Sequence, residues 1–240
     1  MNSKNVLKFS KISLSALAMS VALIFTGCKD DEEEVVVTPV VTVPTPKAKV
    51  LVVHASPDAP GVGLLVDDVL INTTALVYPT NTGYLSVDAG IRNIKVDVFG
   101  DTTTVINANI SLLANQNYSV FAGNSVADIT AYVLTDDLTP PATGTAHVRF
   151  VHLSPDAPAV DVLADGEVLL GNTSFSGYTS FTPVEAGTYA ITVNVANTAT
   201  QALNVGNVTF VEGKIYTVFA KGFLNGSGAQ ALGAEIIVNN

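Results

Sequence analysis

Ile94, Val96 and Val98 alternate with Asn93, Lys95 and Asp97, and 97 residues later Ile191, Val193 and Val195 alternate with Thr192 and Asn194. A period of two puts successive side chains on opposite faces, so each run predicts a strand with one wet face. Around these runs, short apolar segments such as Val50 to Val53 and Val148 to Val151 are punctuated by Asn, Gly, Thr and Pro. Beyond residue 27 no segment carries a sustained helical stripe. Asp165-Gly166, between Val160 to Ala164 and Val168 to Leu170, is a favoured two-residue hairpin turn, and Asp67-Asp68 fills the same place, less ideally, in the earlier half.

The halves are copies. Val53-His54-Ala55-Ser56-Pro57-Asp58-Ala59-Pro60 returns as Val151-His152-Leu153-Ser154-Pro155-Asp156-Ala157-Pro158, identical at seven of eight positions and 98 residues apart. Val87-Asp88-Ala89-Gly90 returns as Val184-Glu185-Ala186-Gly187, and Tyr118 to Ala122 as Tyr216 to Ala220. A period this long means duplicated whole domains, since solenoid repeats run at roughly 20 to 50 residues. Pro and Thr mark the joints: Val35 to Pro46 reads as an extended spacer, and Thr139-Pro140-Pro141-Ala142-Thr143-Gly144 separates the copies. The expected layout is a leader at 1–27, a tether at 28–47, one domain at 48–138, a linker at 139–145 and a second domain at 146–240. The expected fold is all-β, two tandem antiparallel immunoglobulin-like β-sandwich domains after a cleaved lipoprotein signal peptide. Without Trp or a cysteine pair, the antibody type of core is excluded. Each copy holds a full set of strands, so the two are expected to fold independently.

The leader carries the strongest address. Lys4, Lys8 and Lys11 precede a run of sixteen uncharged residues, Ile12 to Gly27, which ends in small residues before Cys28, the only cysteine. That run is short of the roughly 20 residues that cross a bilayer, and no basic stop-transfer cluster follows, so it reads as a secretory signal rather than an anchor. Phe25-Thr26-Gly27-Cys28 resembles the lipobox of bacterial lipoproteins, with Phe25 where Leu is usual, which implies a lipid on Cys28 and attachment to a membrane. Lys29, Asp30, Asp31, Glu32 and Glu33 resemble the export tag that sends lipoproteins of the Bacteroidota to the outer face of the outer membrane; the alternative is a plain solvated charge run.

Charge narrows the partners. After the leader, 21 acidic residues stand against 8 Lys and Arg, a formal charge of −13. Such a chain repels nucleic acid and anionic headgroups. No disulfide is available, so apolar cores must hold the fold.

The repeated His-x-Ser-Pro-Asp-Ala-Pro element follows an apolar strand each time. Pro57 and Pro155 preset φ for a turn, while Ser56, Asp58, Ser154 and Asp156 are residue types that bond nearby backbone. His54, Ser56, Pro57, Asp58 and Pro60, with His152, Ser154, Pro155, Asp156 and Pro158, therefore read first as a strand-ending turn in which Asp bonds local backbone. His54 and Ser56 on one strand face would also suit a nucleophile and its base, yet no nucleophile elbow or oxyanion motif accompanies them. Asp58, Asp67 and Asp68, or Asp156, Asp161 and Asp165, would offer oxygen ligands to calcium, but calcium-loop spacing is lacking. His54, His147 and His152 do not form a zinc pattern. No cofactor is expected. Asp101-Thr102-Thr103 resembles an O-glycan acceptor of the Bacteroidota, with Thr102 as the modified residue, against the plainer reading of a turn.

The repeated element, its duplication and the lipoprotein leader resemble the family known as domain of unknown function 4397. The resemblance spans about four fifths of the chain and implies a β-rich, secreted or membrane-anchored, often tandem protein, with no catalytic residues to transfer. Two function classes follow: a non-enzymatic binding or structural module of the cell envelope, with a glycan or protein ligand, or a secreted hydrolase or metal-dependent enzyme using the His and Asp of the repeated element. Tyr78, Tyr84, Tyr132, Tyr178 and Tyr189 are the tyrosines from which a glycan platform would have to come.

Overall fold

The computed structural model describes residues 44–240. Cys28, the acidic run after it and most of the tether lie outside the described residues. The first copy forms β1 (Lys47–His54), β2 (Val62–Val66), β3 (Val69–Leu70), β4 (Asn81–Asp88), β5 (Gly90–Val98), β6 (Thr104–Leu112), β7 (Asn117–Gly123) and β8 (Thr130–Asp136). The second forms β9 (Thr145–His152), β10 (Val160–Ala164), β11 (Glu167–Thr173), β12 (Thr182–Glu185), β13 (Gly187–Val195), β14 (Gln201–Phe210), β15 (Ile215–Lys221) and β16 (Gly233–Val238). Each copy is built from two four-stranded sheets, ordered β4-β1-β7-β8 and β3-β2-β5-β6 in the first and β12-β9-β15-β16 and β11-β10-β13-β14 in the second.

Local turn chemistry sets the hairpins. Asp67 and Asp68 take φ of 49° and 65°, and Asp165 and Gly166 take 50° and 87°, the doubly left-handed pair of a type I′ turn. Asp67 and Asp165 reinforce it by accepting the backbone N–H of Asn93 at 2.9 Å and of Ala190 at 2.8 Å on the neighbouring strand. In the first copy Arg92 and Lys95 also pair with Asp67 and Asp68.

The sheets are not purely antiparallel as expected. β1 pairs with β7, and β9 with β15, in parallel. Alternation along a strand reports which face is wet and says nothing about the direction of its partner. These partners are remote in sequence, with the whole second sheet of the copy intervening, so no hairpin signal announces them.

Each copy has its own core between its two sheets. In the first, Val50 and Val52 of β1 and Val120 of β7 meet Leu64, Ile94, Val96, Ile106 and Ile110 from the opposing sheet. In the second, Val148, Phe150 and Val218 meet Val162, Ile191, Val193 and Val208. The alternation seen in the sequence of β5 and β13 is therefore the inner face of these layers.

A third buried cluster joins the two copies. Leu51, Val53, Ala55, Phe121 and Leu134 of the first copy pack with Val151, Leu153, Phe219 and Ile237 of the second. These are the outer faces of the β4-β1-β7-β8 and β12-β9-β15-β16 sheets, which makes β1, β7, β9 and β15 buried on both sides. Phe121 and Phe219, equivalent in the duplication, touch edge to face at 5.7 Å and 63°. Equivalent residues in mutual contact mark a two-fold-like seam. Tyr132 of the first copy packs on Phe175 of the second, and Lys221 of the second lies over the Tyr78 ring of the first.

Candidate functional site: the repeated turns and the seam cleft

The repeated element closes the end of β1 and β9. His54 and His152 are fully buried, and the Nε2 of each lies 2.9 Å from a turn carbonyl, Pro60 O and Pro158 O respectively. A carbonyl only accepts, so in each imidazole Nε2 carries a proton and donates. In the second copy the remaining nitrogen, Nδ1, accepts from Ser154 N at 3.3 Å, consistent with that tautomer. Burial pushes both imidazoles below their usual range. Ser56 and Ser154 are buried as well.

Asp58 and Asp156 are exposed, but they do not bond local backbone as the sequence suggests. Asp58 Oδ1 accepts the N–H of Val126 in the β7–β8 loop at 2.7 Å, and Asp156 Oδ1 accepts that of Leu224 in the β15–β16 loop at the same distance. Both donors are 68 residues away. The Pro-preset bend turns the carboxylate toward the parallel neighbour's loop, so the element ties a strand end to a remote loop. The local contact to these carboxylates among the described residues is from Ser56 Oγ, 3.5 Å to Asp58 Oδ1.

The calcium and zinc groupings are not assembled. Among the described residues no three His, Cys, Asp or Glu side chains converge. Asp67 and Asp68 are engaged at their hairpin, while Asp161 accepts Asn172 N at 2.6 Å and Asn197 N at 2.8 Å. Thr102 is exposed in the β5–β6 turn, where Asp101 Oδ1 accepts its N–H at 2.6 Å.

These histidines give a pH prediction. The unfolded chain binds protons near pH 6.5, the ordinary histidine value, whereas the fold holds both imidazoles neutral to lower pH. Between those two values the unfolded state binds more protons, so stability rises with pH there and falls as pH drops below about 6.5. The slope is at most about 1.4 kcal/mol per pH unit for each histidine. Melting temperatures at steps from pH 7.5 to 5 should show the decline; a flat profile would mean that the imidazoles titrate freely.

A charged network that no sequence motif announces lies inside the seam. Arg149 of β9 retains 2% of its exposure, as does Asp136 of β8. Arg149 Nη2 lies 2.7 Å from Asp136 Oδ1 as an ion pair, and the same nitrogen donates to Ser119 Oγ at 3.0 Å. Its Nε donates to Thr217 Oγ1 at 2.8 Å, and the guanidinium rests 4.5 Å from the centre of the Phe181 ring. Asp136 Oδ2 accepts from Ser119 Oγ at 2.7 Å and from the Tyr84 hydroxyl. Asn239 joins Thr217 to Tyr84 at 2.8 and 3.1 Å. Burial, with the Asp136 carboxylate beside it, drives the Tyr84 phenol far above its usual range, so it stays a donor. The available signal was one arginine in the apolar run Val148 to Val151, at the position that Leu51 fills in the first copy.

At the rim of this network lies a cleft of about 240 Å³ formed by Thr135 and Asp137 of the first copy and Arg149, Tyr178, Thr179, Ser180 and Phe181 of the second. Of the five tyrosines named as platform residues, Tyr178 is the exposed one, at 56%. Tyr84 and Tyr132 support the seam cluster, and Tyr189 packs on Phe210. A larger groove of about 370 Å³ opens beside Val69 and Leu85, framed by the Lys47–Asp88 and Arg92–Asp67 pairs, whose charges cancel.

No curated protein matches the chain. Solved structures similar to it include one described as alpha-glucan binding by a streptococcal virulence factor, 12% identical over 72% of this chain and 92% of that one, with a TM-score of 0.26. Another is CBMbc, a family CBM26 module from Eubacterium rectale Amy13K in complex with maltoheptaose, 8% identical over 79% and 95%, with a TM-score of 0.25. TM-scores this low do not establish a shared fold. The family model matches residues 48–163 and again 146–239, so the chain belongs to the family described as domain of unknown function (DUF4397), carried in tandem.

Proposed function

We propose that the chain is a lipid-anchored, non-enzymatic binding or structural module of the cell envelope, its two immunoglobulin-like sandwiches presenting a surface outward from a lipid on Cys28. The observation that carries the non-enzymatic part is the use made of the repeated element. Its histidines are buried donors to Pro60 and Pro158 carbonyls, and its aspartates hold the loops at Val126 and Leu224. A general base must reach the proton it takes, and a buried imidazole already bonded to backbone does not.

Asp58→Ala and Asp156→Ala should each cost on the order of 1 kcal/mol, the scale of one lost side-chain hydrogen bond. Melting curves with calcium and with chelator should coincide for wild type and variants alike; a calcium-induced rise that vanishes in the variants would replace this reading with a metal site. The anchoring part rests on the sequence around Cys28. Cys28→Ser should move the protein out of the membrane fraction or leave the precursor uncut, and protease added to intact cells should digest the wild type if it faces outward. An unmodified residue 28 in the mature wild type, found by mass spectrometry, would end the anchoring proposal.

A further inference from the structure

The duplication supplies its own control for the seam cleft. Thr82 and Thr179 accept the equivalent N–H groups of Val52 and Phe150, which aligns Asn81 with Tyr178 and Tyr84 with Phe181. Strand register aligns Val238 with Thr135, and therefore Asn240 with Asp137. The scaffold is the same on both sides of the two-fold-like seam, yet one side holds Leu51, Asn81 and Asn240 where the cleft holds Arg149, Tyr178 and Asp137. An apolar residue, an amide and a neutral side chain have become a fork of donors, an exposed ring and a carboxylate.

We propose that this cleft binds a neutral carbohydrate, with one sugar ring against Tyr178 and its hydroxyls held between Asp137 and Arg149. The proposal rests on the binding-module reading and gives that module a site and a ligand class. Arg149 provides the built element. It is 98% removed from solvent, with Nε and Nη2 committed to Thr217, Ser119 and Asp136. Arg149 also lines the cleft, so its guanidinium borders the space a ligand would fill. A donor held this rigidly loses little entropy when a ligand oxygen arrives. Asp137 lines the same cleft, and hydrogen bonds from Thr139 hold its carboxyl below its usual range, leaving an ionised acceptor in solvent.

Charge selects among ligands. Asp136 already neutralises Arg149, so Asp137 leaves the cleft net negative and an anionic ligand is repelled. A divalent cation would find no convergent set of three acidic or histidine ligands among the described residues. A neutral sugar suits what remains: its C–H face covers an aromatic ring, and each hydroxyl both donates to the carboxylate and accepts from the guanidinium. At about 240 Å³ the space is below the roughly 300–1,000 Å³ of pockets that enclose a drug-sized ligand, so it suits one sugar unit of a longer chain.

The test titrates the purified chain by calorimetry with maltohexaose, cellohexaose, mannohexaose and chitohexaose, and with hexagalacturonate as the anionic comparison. At least one neutral hexasaccharide should bind, more tightly than hexagalacturonate. Tyr178→Ala and Asp137→Asn, both exposed and outside the seam network, should weaken it at least about tenfold with unchanged melting temperatures. Absence of binding to every neutral probe, or preference for hexagalacturonate, would overturn the site. Equal affinity in Tyr178→Ala would overturn it too, while leaving a binding module whose site lies elsewhere. Shortening of a bound probe, followed by mass spectrometry, would instead overturn the non-enzymatic reading, and its loss in Tyr178→Ala would still support the site.

Discussion

Asp136→Ala is expected to cost about 3 to 5 kcal/mol, the penalty for leaving a buried charge without its partner. The substitution strands Arg149 and removes the acceptor used by Ser119 and Tyr84 at once. Against a total stability of about 5 to 15 kcal/mol, a loss of that size moves the unfolding midpoint far. The informative partner is the double variant Arg149→Leu with Asp136→Asn, which places at each position the residue its equivalent carries, Leu51 and Asn239. It should be close to neutral, because exchanging a whole buried pair for well-packed groups avoids the desolvation of both charges. Denaturant unfolding of the three proteins decides the matter. A cost below about 1 kcal/mol for Asp136→Ala, the scale of exposed ion pairs, would mean that the pair is effectively solvated.

The second large effect comes from cutting the chain between the copies. Residues 146–240 keep the core around Phe150, Ile191 and Val218, but lose the cover on Val151, Leu153, Phe219 and Ile237. The isolated copy is expected to melt well below the intact protein and to self-associate. Mixed with residues 44–138, it should form a complex of one copy of each. Charge makes that pairing selective: two second copies would bury two Arg149 side chains with no carboxylate, and two first copies would bury two Asp136 carboxylates with no guanidinium. Analytical ultracentrifugation of each fragment and of the mixture gives the stoichiometry. A monomeric second copy with the melting temperature of the intact chain would show that the seam contributes little.

The seam also explains why the two copies look more independent in sequence than they are. β1 reads Val50-Leu51-Val52-Val53 without a polar break, and β15 reads Tyr216 to Ala220 with only Thr217 interrupting. A continuous apolar run is the signature of a strand covered on both faces. Here it marks the strands that serve two cores at once, Val50 and Val52 toward one and Leu51 and Val53 toward the other. Arg149 concealed the same pattern in β9, because an arginine in a strand is ordinarily taken to point at solvent. It is buried only because Ser119 and Asp136, distant in sequence, supply what water would have supplied.

Local physical chemistry sufficed for the rest of the legible structure. The alternation through Ile94, Val96, Ile191 and Val193 determined the inner faces, Asp165-Gly166 determined its hairpin, and the 98-residue offset of the repeated element determined two copies of one unit. Each depends on bonds and side chains a few residues apart, or on identity between two stretches. Tertiary structure alone decided the parallel pairing of β1 with β7, the reach of Asp58 to Val126, the burial of Arg149 and the meeting of Asp137 with Tyr178 at one cleft. All four join segments remote along the chain, and neither a residue's own type nor its neighbours' periodicity carries the identity of a distant partner.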